Sequence, residues 1–235
     1  MNFIPDLPEC TFAPMNLPFT TIIFDLGGVI VNIDYHDTVL AFHDLGFTGF
    51  DQHFSFHQQM DVFDQYEMGL ISSAEFRSRL NRQFNRSLPD AEFDRAWYTM
   101  VKDIPPYRID LIRKVKSRYQ TFLLSNTNES HIRLFNEYVH SSFGLKDLSD
   151  LFHKMYYSYE VHLRKPDVAI YRHVLEENGL DPQKTLFMDD NPANVAGSRL
   201  AGIPTIHMTG GLELSDVFDV ETGQLKPVVM DLVQQ

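Results

Sequence analysis

Three apolar runs in this chain end in polar groups of the kind that phosphoryl transfer needs. Thr21-Ile-Ile-Phe-Asp25-Leu-Gly-Gly28-Val-Ile-Val31 sets one carboxylate at the end of a buried run and two glycines behind it. The glycines let the backbone turn and approach a ligand closely. Ser125-Asn126-Thr127-Asn128 follows the run Thr121–Leu124, Asp189-Asp190-Asn191 follows Lys184–Met188, and Arg164-Lys165-Pro166 lies between them. Taken singly, each has an ordinary explanation. Asp25 is a turn residue or cap, Ser125 and Asn126 cap the next helix, Lys165 is a solvated cation, and Asp189-Asp190 begins a helix. Taken together, they supply a nucleophile, a divalent-metal site, donors for phosphoryl oxygens and a cation near the anionic groups. Asp189 and Asp190 can bind Mg²⁺ with Asp25, because hard cations prefer carboxylate, carbonyl and water oxygens.

The elements that must hold these groups alternate. After Pro105-Pro106 the pattern predicts a helix over 107–118, a strand at 121–124 and a short strand near 155–157. A helix opened by Pro166 and ended by Gly179 follows. A buried strand at 184–188, a helix at 192–201 closed by Gly202 and a strand at 204–208 complete the series. Strands separated by helices imply right-handed crossovers, hence an α/β fold with a parallel sheet and helices on both faces. Between the first strand and the second, residues 36–104 read as helical. Phe76, Leu80 and Phe84 recur at four-residue spacing, as do Phe93, Trp97 and Val101. Ser72 with Glu75 fits a capping box, and Pro89-Asp90 with Glu92 an acidic first turn. The expected division is an N-terminal arm at 1–19, packed through Phe3, Ile4 and Phe12, a core at 20–35 and 105–235, and an inserted small helical cap at 36–104.

Composition narrows the partners. The 235 residues carry 20 Lys+Arg against 32 Asp+Glu, a formal charge of −12 that opposes broad attraction to nucleic acid or anionic membranes. A divalent cation and a few local donors can still receive a small anionic substrate. One cysteine, Cys10, excludes an intrachain disulfide framework and suits a reducing compartment. No apolar run reaches membrane-spanning length and the first residues lack a signal-peptide pattern, so the expectation is a soluble cytoplasmic protein.

With these residues in place, the sequence resembles the haloacid dehalogenase superfamily, most of whose members are Mg²⁺-dependent phosphatases. Phe24-Asp25-Leu26-Gly27-Gly28-Val29 is similar to the first family motif, Leu124-Ser125-Asn126 to the second, Arg164-Lys165-Pro166 to the third, and Met188-Asp189-Asp190-Asn191-Pro192-Ala193-Asn194-Val195 to the fourth. The four occur in family order over residues 20–208. The resemblance implies a Rossmann-like core and a helical cap inserted after the first motif. It implies further that Asp25 attacks phosphorus to form an aspartyl-phosphate, and that Ser125 and the Asn126 backbone hold phosphoryl oxygens. Lys165 would steady nucleophile and phosphate. Asp190 would be the main acidic Mg²⁺ ligand beside Asp25, with Asp189 second or water-mediated, the Gly27 carbonyl a backbone ligand and Asn194 behind them.

One departure matters. Where most such phosphatases carry a second Asp two positions after the nucleophile, to protonate the leaving group and then activate water, this chain has Gly27. A subgroup with Asp-Leu-Gly-Gly or Asp-Leu-Gly-Asn here includes sugar-phosphate phosphatases. Asp34, His36 and Asp37 are candidate replacements whose ordinary reading is linker or helix start. The leading expectation is a phosphomonoesterase of a small phosphorylated metabolite. Alternatives are a metal-independent 2-haloacid dehalogenase, which the acidic pair opposes, and a weak or inactive phosphate-binding protein, which only Gly27 supports. His53 and His57 are four apart but lack the Glu of a zinc-hydrolase pattern, so a zinc site is not expected. Substrate choice is assigned to the cap, where Asp44, Gln58, Gln59, Gln65, Tyr66 and Glu67 are the candidates to face the site.

Overall fold

Thr21-Ile-Ile-Phe24 is buried on both faces and forms β1 (Thr21–Phe24) in the computed structural model, which describes residues 17–54 and 61–234. The expected packing of Phe3, Ile4 and Phe12 lies outside the described residues. Four more strands complete a parallel sheet: β2 (Gln120–Ser125), β3 (Lys154–Tyr157), β4 (Thr185–Asp189) and β5 (Thr205–His207). Their order is β3-β2-β1-β4-β5, so β1 sits at the centre. Phe24 stands opposite Leu123 on β2 and Met188 on β4, so the carboxyl ends of the three central strands lie side by side. This register delivers Asp25, Ser125 and Asp189 to one edge of the sheet.

Alternate residues of the strands feed two cores, as the period of two demands. On one face Ile22, Phe24, Leu123, Leu186 and Met188 pack with α5 (Pro106–Lys116) and α6 (Glu129–Phe143). The C-terminal stretch, which the sequence left without a role, covers the same face through Leu214, Phe218 and Val229, the Phe24 and Phe218 rings stacking at 6.0 Å. On the other face Ile23, Phe122, Leu124 and Phe187 meet α8 (Val168–Asn178), whose Ile170, Tyr171 and Val174 are fully buried. This helix begins two residues later than Pro166 predicts. Asp167 keeps an extended ψ of 130° and caps it by accepting from Ala169 N, leaving Pro166, which follows a cis peptide bond, in the preceding loop. A short helix, α7 (Ser158–Val161), follows β3, and α9 (Pro192–Leu200) follows β4.

Residues between β1 and β2 build a separate aromatic cluster. In it α1 (Tyr35–Asp44), α2 (Asp61–Glu67), α3 (Ser73–Gln83) and α4 (Asp90–Tyr98) enclose Phe42, Phe50, Phe54, Phe63, Phe76, Phe93 and Trp97. Of the phenylalanines expected to share helix faces, Phe76 and Phe93 are buried in it and Phe84 packs against it partly buried, and Ser72 accepts from Glu75 N at 3.2 Å as a cap should. The two connections to the sheet domain run side by side. Asn32 N donates to Asp103 O (2.9 Å), Lys102 N to Asn32 O (2.9 Å) and Asp34 N to Met100 O (2.8 Å), forming a short antiparallel ribbon.

Candidate active site

Lys165 is the pivot of the sheet's carboxyl edge. It is 1% exposed, and its Nζ donates to Asp25 Oδ1 at 2.7 Å and to Asp189 Oδ2 at 2.6 Å. The ordinary reading of Lys165 as a solvated cation is therefore wrong. Asp189 is fully buried and accepts also from Asn191 N (2.8 Å) and twice from Asn194 Nδ2 (3.0 and 3.1 Å). A buried carboxylate so heavily bonded is fixed in place, held ready to orient the ammonium. Nor do Asp189 and Asp190 start a helix. Asn191 is the residue that caps α9, accepting from Ala193 N at 2.9 Å.

Carboxylate oxygens of Asp25, Asp189 and Asp190 lie within 4.8 Å of one another. Three carboxylates against one ammonium leave an excess of negative charge, which adds to burial in raising two of them. Burial raises the Asp25 carboxyl well above the usual carboxylate range against the pull of Lys165, with Asp189 and Asp190 adding to the rise. Asp190 is pushed up to about 6 by burial and by Asp189. Burial disfavours the Lys165 ammonium, but Asp189 and Asp25 outweigh it and hold its pKa above the ordinary lysine value. An oxygen-only set with surplus negative charge fits a hard divalent cation such as Mg²⁺. Gly28 makes room for the Asp190 carboxylate: at φ +73° a Cβ there would lie 2.1 Å from Asp190 Oδ2. The Asp190 carbonyl is fixed in turn by His207 Nε2 at 2.9 Å, a contribution from the end of β5 that no sequence motif indicated.

Ser125 and Asn126 do not cap the following helix; Asn128 does, accepting from His131 N at 3.0 Å. The Asn126 side chain braces the loop that carries Lys165, donating to Lys165 O (2.8 Å) and accepting from Lys165 N (2.9 Å). Ser158 Oγ ties the same strand end to β3 by accepting from Thr127 N at 2.9 Å. Ser125 and Asn126 both line a cleft of about 400 Å³ together with Asp25, Gly27, Lys165 and Asp190.

The opposite wall brings a correction. Asp34 caps α1 through His36 N at 2.9 Å and Asp37 pairs with Lys102, so neither they nor His36 line the cleft. Asp44 is exposed, Gln65 bonds Asp61 and Arg79, and Tyr66 turns its hydroxyl to Ser130 (2.8 Å) and Ser73 (2.9 Å). Gln58, Gln59 and His57 lie outside the described residues, and His53 packs edge-on against Phe84. Of the six expected cap residues, Glu67 lines the cleft, joined by Asp64, Tyr35 and Arg164. Arg164 reaches from the Lys165 loop to Glu67 Oε2 (Nη2 2.7 Å, Nε 3.2 Å) and to Asp64 (3.0 Å). Burial raises the Glu67 carboxyl above the glutamate range, Arg164 opposing, and burial raises Asp64 likewise. Asp64 and Glu67 are three apart on one helix, which places both on one face; that spacing was the available signal.

With this geometry in hand, comparison with known proteins is informative. The family model of haloacid dehalogenase-like hydrolases matches residues 19–202. The chain is 32% identical over 192 residues to a D-ribitol-5-phosphate phosphatase of Bacteroides thetaiotaomicron, covering 82% of this chain and 93% of the relative. It is similar to a solved haloacid dehalogenase family enzyme of the same species, an aspartate-to-alanine mutant in complex with magnesium and inorganic phosphate. The TM-score is 0.80 at 33% identity, over 84% of this chain and 98% of that one. A predicted hydrolase of this family from Porphyromonas gingivalis gives TM-score 0.73 at 29% identity, over 80% and 90%.

Proposed function

The chain belongs to the haloacid dehalogenase-like hydrolases, and we propose that it is a Mg²⁺-dependent phosphomonoesterase of a small phosphorylated polyol or sugar, working through an aspartyl-phosphate on Asp25. The observation that carries this is the Lys165 ammonium held between Asp25 and Asp189, with Asp190 beside them. The magnesium and phosphate held by one similar enzyme support the same assignment, as does the polyol phosphate in the name of another. The surplus of carboxylates argues against dehalogenation, which needs no metal.

In this reading the roles fall to individual atoms. Asp25 Oδ attacks phosphorus, and Lys165 keeps that carboxylate aimed and balances charge on the phosphoryl oxygens. The Ser125 hydroxyl and the Asn126 backbone N–H donate to those oxygens. Asp25, Asp190 and the Gly27 carbonyl would hold Mg²⁺, with Asp189 and Asn194 behind them. When bound, the ion neutralises charge that develops on the transferred group. The hydroxyl-bearing part of the substrate lies toward Tyr35, Asp64, Glu67 and Arg164, whose polar atoms suit an uncharged polyol chain. We take residues 20–35 and 105–235 as the core and 36–104 as the cap, a division supported by the aromatic cluster and the paired connections. A cytoplasmic setting is part of the proposal and rests on the single cysteine.

Phosphate release from pentitol and sugar phosphates should require Mg²⁺, stop on adding EDTA and disappear in Asp25→Asn. Release that persists in Asp25→Asn would refute the aspartyl-phosphate. Binding of inorganic phosphate without release from any ester would make the protein a phosphate-binding relative.

A further inference from the structure

The family's usual acid and base is missing at Gly27, and its place is taken. A Cβ on Gly27 would lie 3.2 Å from Ile33 Cδ1 and 3.5 Å from Ile33 Cγ2, so an apolar side chain fills the space beside the nucleophile. Building on the phosphatase reading, we propose that Glu67, reaching in from the cap, is the proton donor and acceptor for the leaving group and the attacking water.

Among the described residues, the ionisable side chains lining the cleft besides Asp25, Lys165 and Asp190 are Tyr35, Asp64, Glu67 and Arg164. Arg164 has no acceptor atom and does not deprotonate. The Tyr35 phenol is pushed far above its ordinary range by burial, with the Glu67, Asp190 and Asp25 charges adding, so it cannot serve as a base in the second half-reaction. Asp64 lies farther out, its side chain 35% exposed against 15% for Glu67. Both arginine bonds to Glu67 fall on Oε2, which leaves Oε1 to carry a proton. Among the described residues, the charged and titratable groups facing Glu67 are Arg164, Asp64, Lys165 and Tyr35. Burial moves its acidity toward neutrality, as a residue that must be both acid and base requires.

The segment bearing Glu67 is also anchored to the loops and helices that follow β2 and β3. Tyr66 bonds Ser130 (2.8 Å), and Met68 O meets His162 Nδ1 (2.8 Å). Gly69, at φ +65°, packs so near Tyr159 O that a Cβ would come within 2.2 Å of it. Arg164, the partner of Glu67, directly precedes Lys165, the partner of Asp25. In the first half-reaction Asp25 bonds to phosphorus, the phosphorus–oxygen bond to the polyol breaks, and that oxygen takes the Glu67 proton. In the second, water attacks phosphorus and gives its proton to Glu67, while the Asp25–phosphorus bond breaks. Phosphate departs and both side chains return to their starting states.

The test compares an alkyl ester, ribitol 5-phosphate, with p-nitrophenyl phosphate, whose leaving group needs no proton. In the wild type, the first-turnover rate at saturating ester should differ little between them. Glu67→Gln should lose roughly a hundredfold or more on the alkyl ester, yet keep its first-turnover burst of nitrophenol within about tenfold. Asp64→Asn, which takes a carboxylate from the same arginine and from the polyol side of the cleft, should raise KM for the polyol ester but leave the ratio of first-turnover rates at saturation unchanged. Equal losses of the saturated first-turnover rate on both esters in Glu67→Gln, a selective loss of that rate on the alkyl ester in Asp64→Asn, or steep leaving-group dependence of that rate already in the wild type would each overturn the inference. A wild type that releases phosphate from neither ester would overturn the phosphatase reading, and this inference with it.

Discussion

Lys165 has no solvent to fall back on, so its worth is set by the two carboxylates it joins. Lys165→Met would strand Asp25 and Asp189 as buried, unpaired charges, and unfolding by urea should show a loss of about 3–5 kcal/mol without metal. Saturating Mg²⁺ should restore part of that loss, because the cation supplies the missing positive charge; no recovery would mean that the ion does not bind these oxygens. Gly28→Ala should act chiefly on the metal, with a smaller backbone cost from a methyl at φ +73°. The added methyl meets Asp190 Oδ2, and calorimetric titration should show Mg²⁺ affinity lower by at least about tenfold in a protein that still folds. The catalytic edge was legible in the sequence because a strand end is a local feature: an apolar run, then Asp25, Ser125 or Asp189. The burial of Lys165 was not legible, since only the meeting of three distant segments excludes water from it. Nor could the sequence show that Ile33 fills the space beside Gly27, a contact made by the way the loop after β1 folds back.

The contact between α6 and α4 is where the helical insert meets the sheet domain, and His131 sits in it. Its ring stacks on Trp97 at 5.0 Å, and its Nε2 lies 3.0 Å from Trp97 O. Burial lowers its pKa to about 4. The folded protein therefore resists a proton that the unfolded chain, with a histidine near 6.5, accepts. Stability attached to His131 is thus complete above about pH 6.5 and is lost as pH falls toward 4, by up to about 3 kcal/mol. Denaturation curves at pH 7 and pH 4.5 should differ less in His131→Gln than in the wild type; an equal difference would refute this role. Gly69→Ala should act on the other anchor, lifting α2 from Tyr159 O, with thermal stability and kcat/KM falling together. The helices of the insert were legible from the four-residue recurrence of Phe76, Leu80, Phe93 and Trp97. Which side chains they turn to the cleft was not, because that depends on how α2 docks. Asp34 and Asp37 read as candidates by nearness in sequence, whereas Asp64 and Glu67 arrive by docking.

For the whole molecule, a charge of −12 repels a phosphate dianion at long range, although the cleft itself holds Lys165 and Arg164. At fixed free Mg²⁺, kcat/KM should rise severalfold as monovalent salt increases from about 10 mM to about 150 mM, which shortens the screening length from roughly 30 Å to roughly 8 Å. A fall instead would show that the two cations govern capture. No described helix is long and apolar enough to cross a membrane. The parallel sheet was legible from the alternation of runs and helices, but its strand order was not, and that order has a cost during synthesis. β1 lies between β2 and β4, so its two neighbours are translated after it. At about 5–20 residues per second, β4 leaves the ribosome on the order of ten seconds or more after β1. The aromatic cluster of the insert, drawn from residues 42–100, has all its members by then. The nascent chain thus carries all the aromatic residues of the insert beside an apolar strand that has both edges open until β2 emerges and one edge open until β4 does, a target for chaperones and a site for wrong pairing. The central strand gains its second neighbour only with β4, so a ribosome that stalls before residue 185 releases a chain that has Asp25, Ser125 and Lys165 but lacks the Asp189 and Asp190 that hold and complete their cluster.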